Sequence, residues 1–203
     1  EAEADPGSWL SAHLNWGFLS PRRFAREAAA APVESGDAAA LLEELIVRRE
    51  LAFNHVAYAP STYDAFRGLP GWAVETWDAH ADDPRPSIYT RRELEDAVTG
   101  DHAWNAAMER MKTTGYLHNH LRMYWGKQVP KWTGSPRYAY RILRDCNDRW
   151  LLDGNHPPTY ANLLWVFGLH DRPFAEGEIR GKTRPMTRRG LERKIDLEAW
   201  PSV

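Results

Sequence analysis

Apolar positions are most regular between residues 104 and 132. Ala106, Met108 and Met111, then Leu117, Leu121 and Val129, recur at helical spacing, which predicts two helices joined at Thr114-Gly115 and stopped at Pro130. Trp125 and Trp132 lie seven residues apart, so they are expected on one face. Upstream, Ser20 and Pro21 form an N-cap and first-turn pair opening a helix to about Ala31. Asp37 is read as the cap of a helix to about Val56, with Leu41, Leu45, Ile46 and Leu51 inward and Glu43, Arg48 and Arg49 outward. Proline and aspartate punctuate residues 57–90, an ordered connection with a short helix at 71–80. Thr90 to Glu93 reads as a capping box. Ser135-Pro136 starts a helix to about Leu151 that carries Tyr138, Ile142, Leu143 and Asn147. Asp153-Gly154 ends it, 155–158 is expected to be irregular, a short helix follows at 160–167, and a last one starts near Thr187. Neither a period-two apolar run nor an internal repeat is present, so the expected class is all-α with long loops.

Composition narrows the class without changing it. With 203 residues, 43% of them hydrophobic and 27% charged, the chain has an ordinary globular balance, which excludes disordered and collagen-like classes. Residues 1–7 read as a linker or frayed terminus and 8–203 as one helical domain. No run of 18 apolar residues and no basic-then-apolar start is seen, so neither a membrane span nor a signal peptide is expected. Cys146 stands alone, which rules out an internal disulfide or a cysteine zinc site and makes it a core residue. These features together predict a cytoplasmic protein. His118 and His120, two apart on a helix, are expected to point to different sides, and no metal is predicted. Dinucleotide, P-loop and nucleophile-elbow glycine patterns are absent.

Charge is asymmetric behind a net value of -2: residues 1–100 hold 9 Lys and Arg against 17 Asp and Glu, and residues 101–203 hold 17 against 11. The basic excess peaks between Arg180 and Lys194, which suits a phosphate-bearing ligand as well as it suits a solvated tail.

The stretch Thr-Gly-Tyr-Leu-His-Asn-His-Leu-Arg-Met-Tyr-Trp-Gly-Lys (114–127) resembles the signature of the flavin domain of the photolyase/cryptochrome family, and its Arg-Met-Tyr-Trp variant resembles class II photolyases. The likeness continues in order through Val-Arg-Arg-Glu-Leu (47–51), Trp-Asn-Ala-Ala (104–107), Leu-Asp-Gly (152–154), Leu-His-Asp-Arg-Pro (169–173) and Glu-Arg-Lys-Ile-Asp (192–196). It implies a helical FAD-binding domain; the α/β antenna domain of the family has no counterpart in these 203 residues. The resemblance implies that Ser8, Leu10 and Ser11 lie by the FAD diphosphate, that Asn119, Arg122 and Asp153 hold the cofactor, and that Asn147 faces flavin N5. It likewise implies an electron relay through Trp125, Trp104 and Trp132, a lesion contact from Glu44 and an aromatic wedge at Trp165. Glu44 also reads as a surface ion-pair partner of nearby arginines, and the tryptophans as ordinary core. His156 reads as a turn residue or as an acid or base near the flavin. Differences from the class II pattern fall at Asn155 to Thr159 and at Phe174, where the family has Trp. The implied activity is light-driven electron transfer with repair of cyclobutane pyrimidine dimers in damaged DNA. Alternatives are a recruited flavoprotein acting on a small molecule or as a light or redox sensor, and a structural module without flavin.

Overall fold

The computed structural model describes residues 8–32 and 35–195. The linker expected at residues 1–7 and the end of the expected domain, residues 196–203, lie outside them. Eleven α-helices appear among the described residues: α1 Ser11–Asn15, α2 Pro21–Ala30, α3 Ser35–Leu42, α4 Arg49–Tyr58, α5 Gly71–Ala79, α6 Arg91–Glu95, α7 His102–Thr114, α8 Asn119–Gln128, α9 Pro136–Trp150, α10 Pro157–Val166 and α11 Arg188–Glu192. No strand appears among those residues; the β pairing there is an isolated bridge between Gly177 and Gly181.

Local chemistry sets most of the starts. Ser20 Oγ accepts from Arg23 N with Pro21 in the first turn of α2, and Ser135 does the same for Tyr138 N ahead of Pro136. Thr90 and Glu93 complete a reciprocal capping box on α6. Thr187 caps α11 through Gly190 N. Gly115 closes α7 in the left-handed region at φ 69°, and the side chain of Leu152 fills the space a Cβ there would need.

Four readings require correction. The helix expected from Asp37 begins at Ser35, and between α3 and α4 it widens into a π-helical segment, Glu43–Arg48. A π turn takes more residues than an α turn, so the face advances through it. Leu45 is buried, but Ile46 and Leu51 are 47% and 43% exposed, and Arg49, expected outward, is half-buried. Pro157 and Pro158 begin α10 instead of forming an irregular stretch, because the first helical turn needs no N–H from them. Ala106 is exposed, and Ala107 takes the core position beside Met108 and Met111. Trp132 follows the 3₁₀ turn Val129–Lys131, so the α-helical period no longer relates it to Trp125.

The core gathers where α7, α8, α9 and α10 meet, around Trp104, Trp125, Met108, Met111, Leu143 and Phe167. Burying one tryptophan removes roughly 150–250 Å² from water, an upper-bound gain of about 4–6 kcal/mol before ordering entropy. Asp101 ties three elements together: Oδ1 accepts from Trp104 N at 3.1 Å and Arg188 Nη1 at 3.3 Å, and Oδ2 accepts from the Tyr124 hydroxyl. Cys146 lies 2% exposed in this core, and burial pushes its thiol up to about 12, as an inert packing residue requires.

Candidate functional site

A cavity of about 410 Å³ opens between α1, the π segment, α8 and α10. This lies within the roughly 300–1,000 Å³ usual for small-molecule sites. Its apolar wall includes Leu45, Met123, Leu163 and Val166.

Its polar groups come from distant parts of the chain. Arg122 Nη2, on α8, donates to both carboxylate oxygens of Asp153 at 3.0 Å, and the two side chains are only 18% and 12% exposed. The loop after α9 fixes Asp153 in turn: Thr159 Oγ1 donates to its carbonyl at 2.9 Å, and a Cβ on Gly154 would lie 2.8 Å from Asn147 O and 2.9 Å from Asp148 Cα. Such a contact with backbone cannot relax cheaply, so the position demands glycine. Asn147, on α9, is 1% exposed and its Nδ2 has no partner among the described residues; Arg122 Nε and Trp125 Nε1 are buried donors in the same condition. All three residues line the cavity. Unpaired buried donors cost about 1–3 kcal/mol each, which marks this wall as built for an occupant with acceptors.

A line of indoles leads away from the cavity. Trp125 lines it; Trp104 stacks on Trp125 with ring centroids 6.4 Å apart and planes at 11°, and its Nε1 donates to Trp125 O at 2.9 Å. Trp132 meets Trp104 edge-on at 5.4 Å. Trp104 is 1% exposed and Trp132 9%, so Trp104 is the enclosed middle member.

No protein-family model matches the chain. Curated relatives do. It is 46% identical over 191 residues to a deoxyribodipyrimidine photo-lyase of Methanothermobacter thermautotrophicus, covering 94% of this chain and 42% of that protein. Two further photo-lyases, of Oryza sativa and Arabidopsis thaliana, match at 41% and 38% over 197 residues, covering 96% of this chain and 39% and 40% of theirs. The chain belongs to the photolyase family. It spans about two fifths of the length of these curated relatives.

Every photolyase-derived candidate except two tryptophans lines the one cavity: Ser8, Leu10 and Ser11 at α1, Glu44 in the π segment, Asn119 and Arg122 on α8, and Asn147, Asp153 and Trp165 beyond. Trp104 and Trp132 sit behind Trp125. Leu10 is the α1 N-cap residue and offers no side-chain cap. The carboxylate of Glu44 makes no ion pair among the described residues, because Arg48 turns to Glu43 at 3.5 Å and Arg49 to Glu50 at 3.4 Å. The expectation of a surface pair for Glu44 is thereby corrected. His156, half-buried in the cavity wall, packs edge-on against Phe53, and burial, with Arg49 adding, pulls its imidazole below the ordinary value. Burial thereby favours its neutral form.

Sequence reasoning missed Arg48 and Arg49 as cavity residues, because their placement follows from the π register, which has no sequence signature in a single chain. His118 also differs from expectation: it is the N-cap of α8 with extended ψ, and its ring stacks on His120 at 5.4 Å instead of pointing away. Phe174 lies outside the cavity lining, under Arg184 at 4.6 Å.

The basic arm is less free than its composition implies. Arg184 is bound twice by Asp171, at 2.8 and 2.9 Å, and Arg188 by Glu192 and Asp101. Arg180 donates to the carbonyls of Gly181 and Thr183. Lys182, Arg189, Arg193 and Lys194 have no ion-pair partner among the described residues.

Asp153→Ala leaves the Arg122 guanidinium buried without its counter-charge. Urea unfolding is expected to show a loss of about 2–4 kcal/mol. Asp153→Ala with Arg122→Met should recover part of that loss, because the stranded charge is gone.

Proposed function

We propose that residues 8–203 form a photolyase-type FAD-binding domain in which the cavity seats the isoalloxazine, and that the chain performs light-driven electron transfer and repairs cyclobutane pyrimidine dimers. The observation that carries this reading is the convergence of unpaired buried donors from Arg122, Trp125 and Asn147 on one apolar-walled cavity from which Trp104 and Trp132 lead outward. A flavin edge bears ring nitrogens and carbonyls that accept hydrogen bonds, so the residues fit that group. Bound flavin supplies photochemical electron transfer; the protein supplies binding, orientation and charge.

Each residue then has a task. The Arg122–Asp153 pair holds a fixed dipole at the cavity wall. Asn147 can present either amide edge, donating through Nδ2 or accepting through Oδ1, and so suits a ring nitrogen in either protonation state. Ser8 and Ser11 offer hydroxyls for phosphate oxygens. An electron leaving Trp125 is replaced from Trp104 and then Trp132, whose oxidised indole is restored by an external reductant. The ring spacings lie within the range of interacting aromatic pairs.

The curated relatives are named deoxyribodipyrimidine photo-lyases, and Glu44 and Trp165 supply what contact with extruded bases needs: an uncommitted carboxylate and a stacking surface at the same cavity. Extrusion costs a few kcal/mol, least at a damaged base, so lesion choice comes partly from the DNA. Within the basic arm, Lys182, Arg189, Arg193 and Lys194 are the cations left for phosphate among the described residues.

Blue light with an external thiol is expected to reduce bound flavin in the wild type and to fall to near background in Trp125→Phe, with slower reduction in Trp104→Phe and Trp132→Phe. The substitution keeps an aromatic ring but removes the easily oxidised indole. Equal rates in all four proteins discard the relay.

Dimer-containing oligonucleotide is expected to bind selectively and to yield monomeric pyrimidine under light. If all four free cations meet phosphate, binding weakens roughly a hundredfold between about 50 and 200 mM salt. Flavin uptake without lesion-selective binding or repair would replace this activity with chemistry on a small molecule.

A further inference from the structure

One cation beside the cavity has no part in the functions proposed above. Lys127, on α8, is 7% exposed and does not line the cavity. Its Nζ donates to Val166 O at 2.6 Å and lies 4.8 Å from the ring centroid of Trp165, which does line it. An ammonium has three donors; one meets a carbonyl, and the charge meets the negative face of an indole.

The surroundings are charged in a fixed pattern. Asp171 attracts Lys127, whereas Arg184, Arg180 and Lys131 repel it. The Asp171 carboxylate is already committed to Arg184, which itself lies 5.8 Å from the Trp165 centroid. Lys127 and Arg184 are thus the cations packed on this indole, and they share one counter-charge. Loss of water outweighs what these partners return, and burial pulls the amine down to about 7. His156 and His170, the imidazoles nearest to Trp165 along the chain, and His120, the one nearest to Lys127, are all pushed below the ordinary histidine value, chiefly by burial.

We infer that Lys127 is a positioning residue for Trp165: its buried ammonium, anchored to the α10 carbonyl, holds the indole in the cavity wall and releases it when the proton leaves. The role at the site rests on the reading of Trp165 as the surface against which extruded bases stack. The sign is fixed by chemistry. The indole is held at pH below the Lys127 transition and freed above it, so the stacking wall is governed by a proton outside the cavity.

The test uses the full chain labelled with 5-fluorotryptophan, the Trp165 fluorine resonance being assigned by its loss in Trp165→Phe. Between about pH 6 and pH 9 the wild-type resonance is expected to move with one inflection within a unit of 7. Lys127→Met is expected to hold the high-pH position throughout, and Lys127→Arg, which keeps its charge, the low-pH position. A Trp165 resonance that does not titrate, or an inflection that survives in Lys127→Met, overturns the inference. Where Lys127→Met does not fold, an inflection persisting in Lys127→Arg overturns it equally. Light, flavin and DNA do not enter the measurement, so absence of dimer binding alongside an intact titration counts against the repair function alone.

Discussion

The segment Tyr124–Pro130 is buried at every position, and this enclosure sets where the rest of the chain must run. A helix end surrounded on all sides is normally apolar throughout, yet this one carries Lys127 and Gln128. Both need partners, and both find backbone carbonyls: Lys127 meets Val166 O at the end of α10, and Gln128 Nε2 meets Met186 O at 3.3 Å just before α11. The Trp125 carbonyl receives the Trp104 indole from α7. At the open end of α8, Arg122 draws in Asp153 from beyond α9. Four elements are therefore positioned by polar demands of a single helix, and the cavity is the space left beside its exposed turn.

This construction explains why the site is assembled from remote segments. Gly126, on α8, sits so close to α10 that a Cβ there would lie 2.9 Å from Val166 Cγ2, which brings the two helices together beside the cavity wall. The π segment across the cavity turns Glu44 and Arg48 toward the opening. It exposes Ile46 and Val47 in doing so, a loss of apolar burial accepted where function competes with packing.

Helix starts were legible in the sequence because capping is local chemistry: Ser20-Pro21, Thr90-Glu93, Ser135-Pro136 and Thr187 each carry their own hydrogen-bond partner within four residues. The readings that failed depended on register or on distant packing. Nothing in Glu-Glu-Leu-Ile-Val-Arg announces a π turn, so Ile46 and Leu51 were placed inward by a period that does not hold there. Pro157-Pro158 was read as a breaker although proline is tolerated in a first turn. The site residues were named by family resemblance and not by periodicity; spacing alone marks Arg122, Asn147 and Asp153 as three unrelated polar positions. Lys127 was invisible for a related reason. Its neighbours on the helix give no hint that its ammonium lies against an indole 38 positions away in the chain.

The central claim is that the cavity seats a flavin in contact with Trp125. Time-resolved fluorescence of FAD bound to the full chain tests it most directly, since an adjacent indole quenches an excited flavin by electron donation. The account predicts one FAD per chain with strongly shortened emission, and a marked recovery of lifetime in Trp125→Phe at unchanged stoichiometry. Absence of FAD binding, or the same lifetime in both proteins, would contradict it.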